Sequence, residues 1–154
     1  MNRISQNISY AEATRSNAAQ RYGLKNDPPP NILSAMRVTA EMVFQPARQH
    51  FGVPMFISSF YRSPEVNRRI GGSANSQHCT GQAIDIDADV YGGITNTELF
   101  EWLRKNVCFD QLIWEFSNPD GTPAWVHVSY NLGKNRGQVL KAYKVNNQTK
   151  YKVI

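Results

Sequence analysis

Two of the chain's three histidines stand in segments suited to holding a metal. His78 lies in Ser76-Gln77-His78-Cys79-Thr80-Gly81-Gln82-Ala83-Ile84-Asp85, seven residues before Asp85, and His127 lies in Trp125-Val126-His127-Val128. Two imidazoles and a carboxylate form a three-ligand zinc set that leaves one position for a water, the pattern of catalytic rather than structural sites. The chemistry expected is zinc-dependent hydrolysis. A buried histidine is by default a hydrogen-bonded core residue, and the aspartate spacing is what favours a ligand here.

The donors must converge. In a strand over Ala83–Asp87, alternation puts Asp85 and Asp87 on one face and Ile84 and Ile86 on the other, so either aspartate could be the ligand by this argument. Gln111–Phe116 and Ala124–Tyr130 read as two strands joined by Asn118-Pro119-Asp120-Gly121, a turn composition. Glu115 and His127 are equidistant from Gly121, so a loop centred there sets them directly across from each other, about 5 Å apart at Cβ. Glu115 would then take the proton of the attacking water as general base. Arg62 follows a strand and precedes a helix cap, where a guanidinium can hold a substrate carboxylate with two parallel hydrogen bonds. By default Glu115 is a solvated strand residue and Arg62 a surface cation. Asp89 reads as a turn residue, Asp110 as a helix- or strand-end residue, and His50 as a helix-end residue.

The elements that must position these groups follow from local signals. Ser9-Tyr10-Ala11-Glu12 is a capping box opening a short helix to about Arg21, stopped by Gly23. Ile32, Leu33, Met36, Ala40, Val43, Phe44 and Ala47 recur at helical spacing, giving one long helix that Pro46 kinks or ends. Met55–Phe60 reads as a strand, Ser63-Pro64-Glu65 as a capped helix start, and Thr95–Glu98 as a second capping box opening a helix to Asn106. Val139–Val145 adds an edge strand. The fold class predicted is α+β: helices packed on a central, mostly antiparallel sheet that carries the zinc site. One domain spans residues 1–154, with an N-terminal helix within 1–30 and a C-terminal strand or tail, 132–154, as peripheral elements.

Composition is that of a globular chain, 41% apolar and 19% charged. A net charge of +5 favours anionic partners, nucleic acid or a polyanionic wall polymer. The cations are scattered, without the basic helix or stacked aromatics of a sequence reader, so no nucleic-acid role is expected. No run is long enough to span a membrane, and Met1–Gln6 lacks the apolar core of a signal peptide, so cytoplasmic synthesis is expected. Cys79 and Cys108 form no CxxC pair, and a disulfide is not required by their spacing.

The quoted segments, with Ser59-Phe60-Tyr61-Arg62-Ser63-Pro64-Glu65-Val66-Asn67 and Gly71-Gly72-Ser73, resemble the zinc D-Ala-D-Ala carboxypeptidase family, in order, from about Ile32 to Tyr130. That family includes wall-cleaving phage endolysins and, more distantly, the Hedgehog signalling domain. The resemblance implies one Zn2+ ion on His78, Asp85 and His127, thereby choosing Asp85 over Asp87. It implies substrate binding by Arg62 and Ser76. Better-known members carry the acid a few residues before the last histidine, where this chain has only Asp120, in an exposed turn. Glu115 is therefore the base assigned here. The function implied is hydrolysis of peptidoglycan stem peptides, as a D-Ala-D-Ala carboxypeptidase or L-Ala-D-Glu endopeptidase. The expected setting is a monomeric phage or prophage wall-degrading protein acting at the cell wall. The alternative is a non-catalytic, zinc-stabilised wall-binding or virion structural module.

Overall fold

The computed structural model describes residues 3–154. Strands β1 (Arg3–Ser5) and β2 (Ile8–Ser9) form a small antiparallel hairpin that the sequence did not announce. Helix α1 (Tyr10–Thr14) opens on the expected capping box: Ser9 accepts from the Glu12 N–H, and the Glu12 side chain accepts from the Ser9 N–H. The single helix expected to about Arg21 is instead two. Arg15 turns extended, and the Ser16 hydroxyl accepts from the Ala19 N–H to start α2 (Asn17–Tyr22), which ends on left-handed Gly23. Ser16 is a better cap than helix-interior residue, because its oxygen competes for backbone donors.

The long apolar stripe is likewise divided. Helix α3 (Pro30–Thr39) passes through a π-helical turn (Ala40–Phe44) into α4 (Gln45–Phe51). Pro46 has no N–H, and in a regular helix its ring would strike the carbonyl four residues back. The wider turn, in which the Gln45 N–H donates to the Ala40 carbonyl, absorbs the ring without ending the helix. The stripe stays continuous across the turn, with Met36, Ala40, Val43, Phe44 and Ala47 all buried.

The rest of the chain forms the main sheet. In order come β3 (Phe56–Ser59), α5 (Pro64–Arg69), β4 (Ala83–Asp87), α6 (Asn96–Asn106), β5 (Gln111–Ser117), β6 (Pro123–Ser129), β7 (Gln138–Val145) and β8 (Gln148–Val153). The sheet has six strands in the order β3-β4-β6-β5-β7-β8. Every neighbouring pair is antiparallel except β5 and β7. The class is α+β, as expected. The C-terminus differs from expectation: β7 is an interior strand, and β8, read as tail, is the edge. Asn146 and Asn147, both at positive φ, make the two-residue turn between them.

Strand alternation sorts the sheet into two faces. Ile84, Ile86, Leu112, Val126 and Val128 are fully buried and join Met36, Val43, Phe44, Leu99, Phe100 and Leu103 in one core. Residues of opposite parity on the same strands, Asp85, Ile113, Glu115, Trp125 and His127, face away from the helices into a cleft.

Candidate metal centre

β4 and β6 pair with Asp85 directly opposite His127. His127 Nδ1 lies 2.9 Å from one Asp85 carboxylate oxygen, and His78 Nε2 lies 3.3 Å from the other. All three side chains are buried, and one donor atom from each lies within 4.8 Å of the others. Zinc bond lengths of about 2.0–2.1 Å place tetrahedral donors about 3.3 Å apart, so the set is already near the spacing a single ion needs. His78 comes from the loop after α5. Its Nδ1 donates to the Phe60 carbonyl at 2.8 Å, which orients the ring with Nε2 toward Asp85. Burial opposes the Asp85 charge most strongly, but the His78 charge and hydrogen bonds from His127 and His78 outweigh it. Together they hold the carboxyl well below the usual range. Asp87 is engaged elsewhere, accepting from Asn96 Nδ2 at 3.0 Å.

The loop bearing His78 is shaped by two glycines. Gly81 has φ +72, and a Cβ there would lie 2.7 Å from Met36 Cγ and 2.9 Å from the Ile32 carbonyl, so only glycine lets the turn seat on α3. Thr39 Oγ1 donates to the Gly81 carbonyl at 2.9 Å and fixes that seat. At Gly72 a Cβ would meet Asn67 Oδ1 at 2.0 Å, the atom that receives Arg62 Nη1.

Glu115 requires a correction of register. It pairs with Trp125, and His127 pairs with Ile113, so the hairpin is centred on Asp120 rather than Gly121. The cause is the turn: the Asn118 N–H donates to the Thr122 carbonyl and the Gly121 N–H to the Asn118 carbonyl, closing a loop from Asn118 to Thr122. The shift moves Glu115 two residues along, not one, so it keeps the face of His127 and becomes its diagonal neighbour, about 7–8 Å away by strand geometry. Burial, with the Asp85 charge adding and His127 opposing, pushes Glu115 up to about 7. Asp120 sits exposed at the loop tip and accepts from the Thr122 N–H and hydroxyl, away from the cleft.

The cleft holds about 960 Å³, and Arg62 and Ser76 both line it. Arg62 Nη1 donates to Asn67 Oδ1 at 3.0 Å, and among the described residues Arg62 makes no ion pair. Ser76 Oγ accepts from the His78 N–H at 3.3 Å, tying it to the first histidine.

Four cleft residues escape the sequence reading. Asp110 is more than a strand-end residue. It is buried, and it accepts from the Arg136 N–H, Nε and Nη2 and from Gln77 Nε2, stitching the loop before His78 to the loop after β6. Those Arg136 hydrogen bonds, working against burial and helped by Gln77, hold Asp110 down to about 2. Nothing local marks such partners, which lie 26 and 33 residues from Asp110. Tyr151 lines the cleft from β8, where burial, Glu115 and Asp85 raise its phenol above the ordinary range. The alternation Thr149-Lys150-Tyr151-Lys152-Val153 after an Asn-Asn turn was the signal for that strand. Cys79 and Cys108 are both free.

A comparison with curated proteins finds no match to the chain. A family model described as Peptidase M15 matches residues 6–129. That span holds the three converging donors, Glu115, Arg62 and Ser76, and every strand that carries them. The chain belongs to the Peptidase M15 family.

Proposed function

We propose that the chain is a zinc-dependent peptidase hydrolysing peptidoglycan stem peptides, as a D-Ala-D-Ala carboxypeptidase or an L-Ala-D-Glu endopeptidase. The observation that carries this reading is the convergence of His78, Asp85 and His127, with Glu115 on the same sheet face, at the floor of one cleft. Family membership supports a metallopeptidase.

In this reading His78 Nε2, the Asp85 carboxylate and His127 Nδ1 hold one zinc ion. Bound there, zinc supplies a Lewis acid for the scissile carbonyl and lowers the pKa of the attacking water. Glu115 takes the proton from that water and delivers it to the leaving amine. A carboxyl pushed up to about 7 is matched to that shuttle near neutral pH. Arg62 binds a substrate carboxylate through the donors that Asn67 leaves free, and Ser76 binds the peptide beside His78. Tyr151, from β8, also lines the cleft. The likeness of the motifs to phage endolysins supports a phage or prophage protein that acts on the cell wall.

The test is mass spectrometry of purified peptidoglycan digested by the protein with and without a chelator. Expected is peptide or D-alanine release by the metal-loaded protein alone, the masses naming the bond. A metal-loaded protein that releases nothing would sink the peptidase reading in favour of a wall-binding module.

A further inference from the structure

The positive charge of this chain is segregated. Of its 17 Lys and Arg residues, six lie after Tyr130, a stretch with none of the 12 Asp and Glu. Residues 1–130 carry eleven cations against twelve anions, so the whole net charge of +5 arises in the C-terminal stretch. That stretch lies beyond the family match, which ends at residue 129. Four of the six cations, Lys141, Lys144, Lys150 and Lys152, stand on the β7–β8 hairpin.

The hairpin places three of these lysines, Lys141, Lys150 and Lys152, together on one face, and Lys144 on the other. Lys141 and Lys152 are direct cross-strand partners, and Lys150 is two residues along the same face from Lys152. Like charges directly opposite on a sheet are destabilising. Among the described residues none of the four forms an ion pair with a carboxylate. Their neighbours are aromatic instead: Lys141 Nζ lies 5.4 Å from the Trp114 ring centroid, Lys144 Nζ 5.5 Å from Phe116, and Lys152 Nζ 5.9 Å from Tyr143. Rings steer the ammonium groups without neutralising them. Arg104, from the last turn of α6, donates to the Ile154 carbonyl and sets another cation beside the same edge.

We propose that the β7–β8 hairpin is an anchor for the polyanionic matrix of peptidoglycan, holding the enzyme on its insoluble substrate through carboxylates of stem peptides that are not being cut. The proposal rests on the peptidase reading for the identity of the polymer. What ties the anchor to that polymer is its second face. Leu140, Thr149 and Tyr151, which line the cleft, share that face with Lys144, while Lys141, Lys150 and Lys152 stand on the other, so the hairpin forms a cationic sheet edge that borders the cleft.

The test compares the full-length, metal-loaded wild type with two quadruple variants, Lys→Gln and Lys→Arg at positions 141, 144, 150 and 152. Co-sedimentation with purified peptidoglycan sacculi reads binding, and digestion is followed on sacculi and on a soluble stem peptide. Expected for Lys→Gln is a tenfold or greater loss of sacculus binding and a matching loss of sacculus digestion, with soluble-peptide turnover within twofold of wild type. Lys→Arg, which keeps the charge, should bind as wild type does. Wild-type binding should fall steeply between 0.05 and about 0.5 M salt, since exposed charges are screened. Wild-type-like sedimentation of Lys→Gln overturns the anchor, as does an equal loss on both substrates or stronger wild-type binding to duplex DNA than to sacculi. A wild type that sediments with sacculi but cuts neither substrate overturns the peptidase reading and leaves the anchor standing, because sedimentation needs no catalysis.

Discussion

The carbonyl of Phe60 determines which nitrogen of His78 is available, and Asp85 stands between two imidazoles only because β4 and β6 pair in one register. A site fixed this tightly makes single-residue predictions sharp. His127→Ala should leave the protein folded but without its metal, read as loss of stoichiometric zinc by elemental analysis; retained zinc would refute the ligand set. Glu115→Gln should keep the metal and lower kcat by roughly 10²–10⁴-fold, the usual size of a general-base contribution. Because the base must be unprotonated, wild-type kcat/KM should rise with pH along an acid limb, and the residual activity of Glu115→Gln should lack that limb. At this scale much was legible. His78 and His127 stood out by donor type and spacing, Asp85 was chosen over Asp87 only through the family resemblance, and Glu115 was picked by its parity with His127. The hairpin register was not legible, since Asn118-Pro119-Asp120-Gly121 permits more than one loop and only the Asn118–Thr122 pairing decides it. Parity survived because the error was two residues.

Among the elements, the turn from His78 to Gln82 and the start of α6 contribute most to the site's shape. Gly81→Ala combines left-handed strain with a clash against Met36 and the Ile32 carbonyl, so it should cost about 2 kcal/mol or more. Chemical denaturation would measure that loss, and metal affinity should fall with it because His78 rides on the same turn. Asn96 is fully buried; its Oδ1 accepts from the Ala88 N–H, and its Nδ2 group is shared among Asp87, Asp89 and the carbonyls of Pro123 and Ala124. Asn96→Ala leaves several of those groups unpartnered and should destabilise by about 2–3 kcal/mol in the same assay. The capping boxes at Ser9 and Thr95 were plain in the sequence, because a cap is written in four adjacent residues. The π-helical turn was not. The pattern located Pro46 correctly as a disturbance, but a proline can break, bend or widen a helix, and the buried stripe on both sides selects widening.

For the whole molecule, Asp110 links loops that are distant in sequence, and its titration is felt as stability. Its carboxyl is held at about 2 in the fold, against about 3.9 unfolded. A depressed carboxylate stabilises above its unfolded value, and that stabilisation fades as pH falls from about 4 through 2, here on the order of 2 kcal/mol. Melting temperatures between pH 6 and 2 should therefore drop for the wild type. Asp110→Asn should begin lower and lose less, with Asp85 accounting for the remainder. The division into helix layer and sheet was readable from periodicity, whereas the path of the sheet was not: β7 lies parallel to β5 on the side away from β6, a long-range pairing that no local pattern encodes. That path bears on how the protein emerges from the ribosome. When Tyr130 has been made, every proposed ligand and the base already exist, yet the outer edge of β5 is bare until β7 follows, and Ile113 lacks its cover from Leu140 and Ala142. An uncovered strand edge is a template for pairing with a second chain. A chain truncated after Tyr130 would carry every proposed ligand and the proposed base together with a bare β5 edge open to pairing with a second copy.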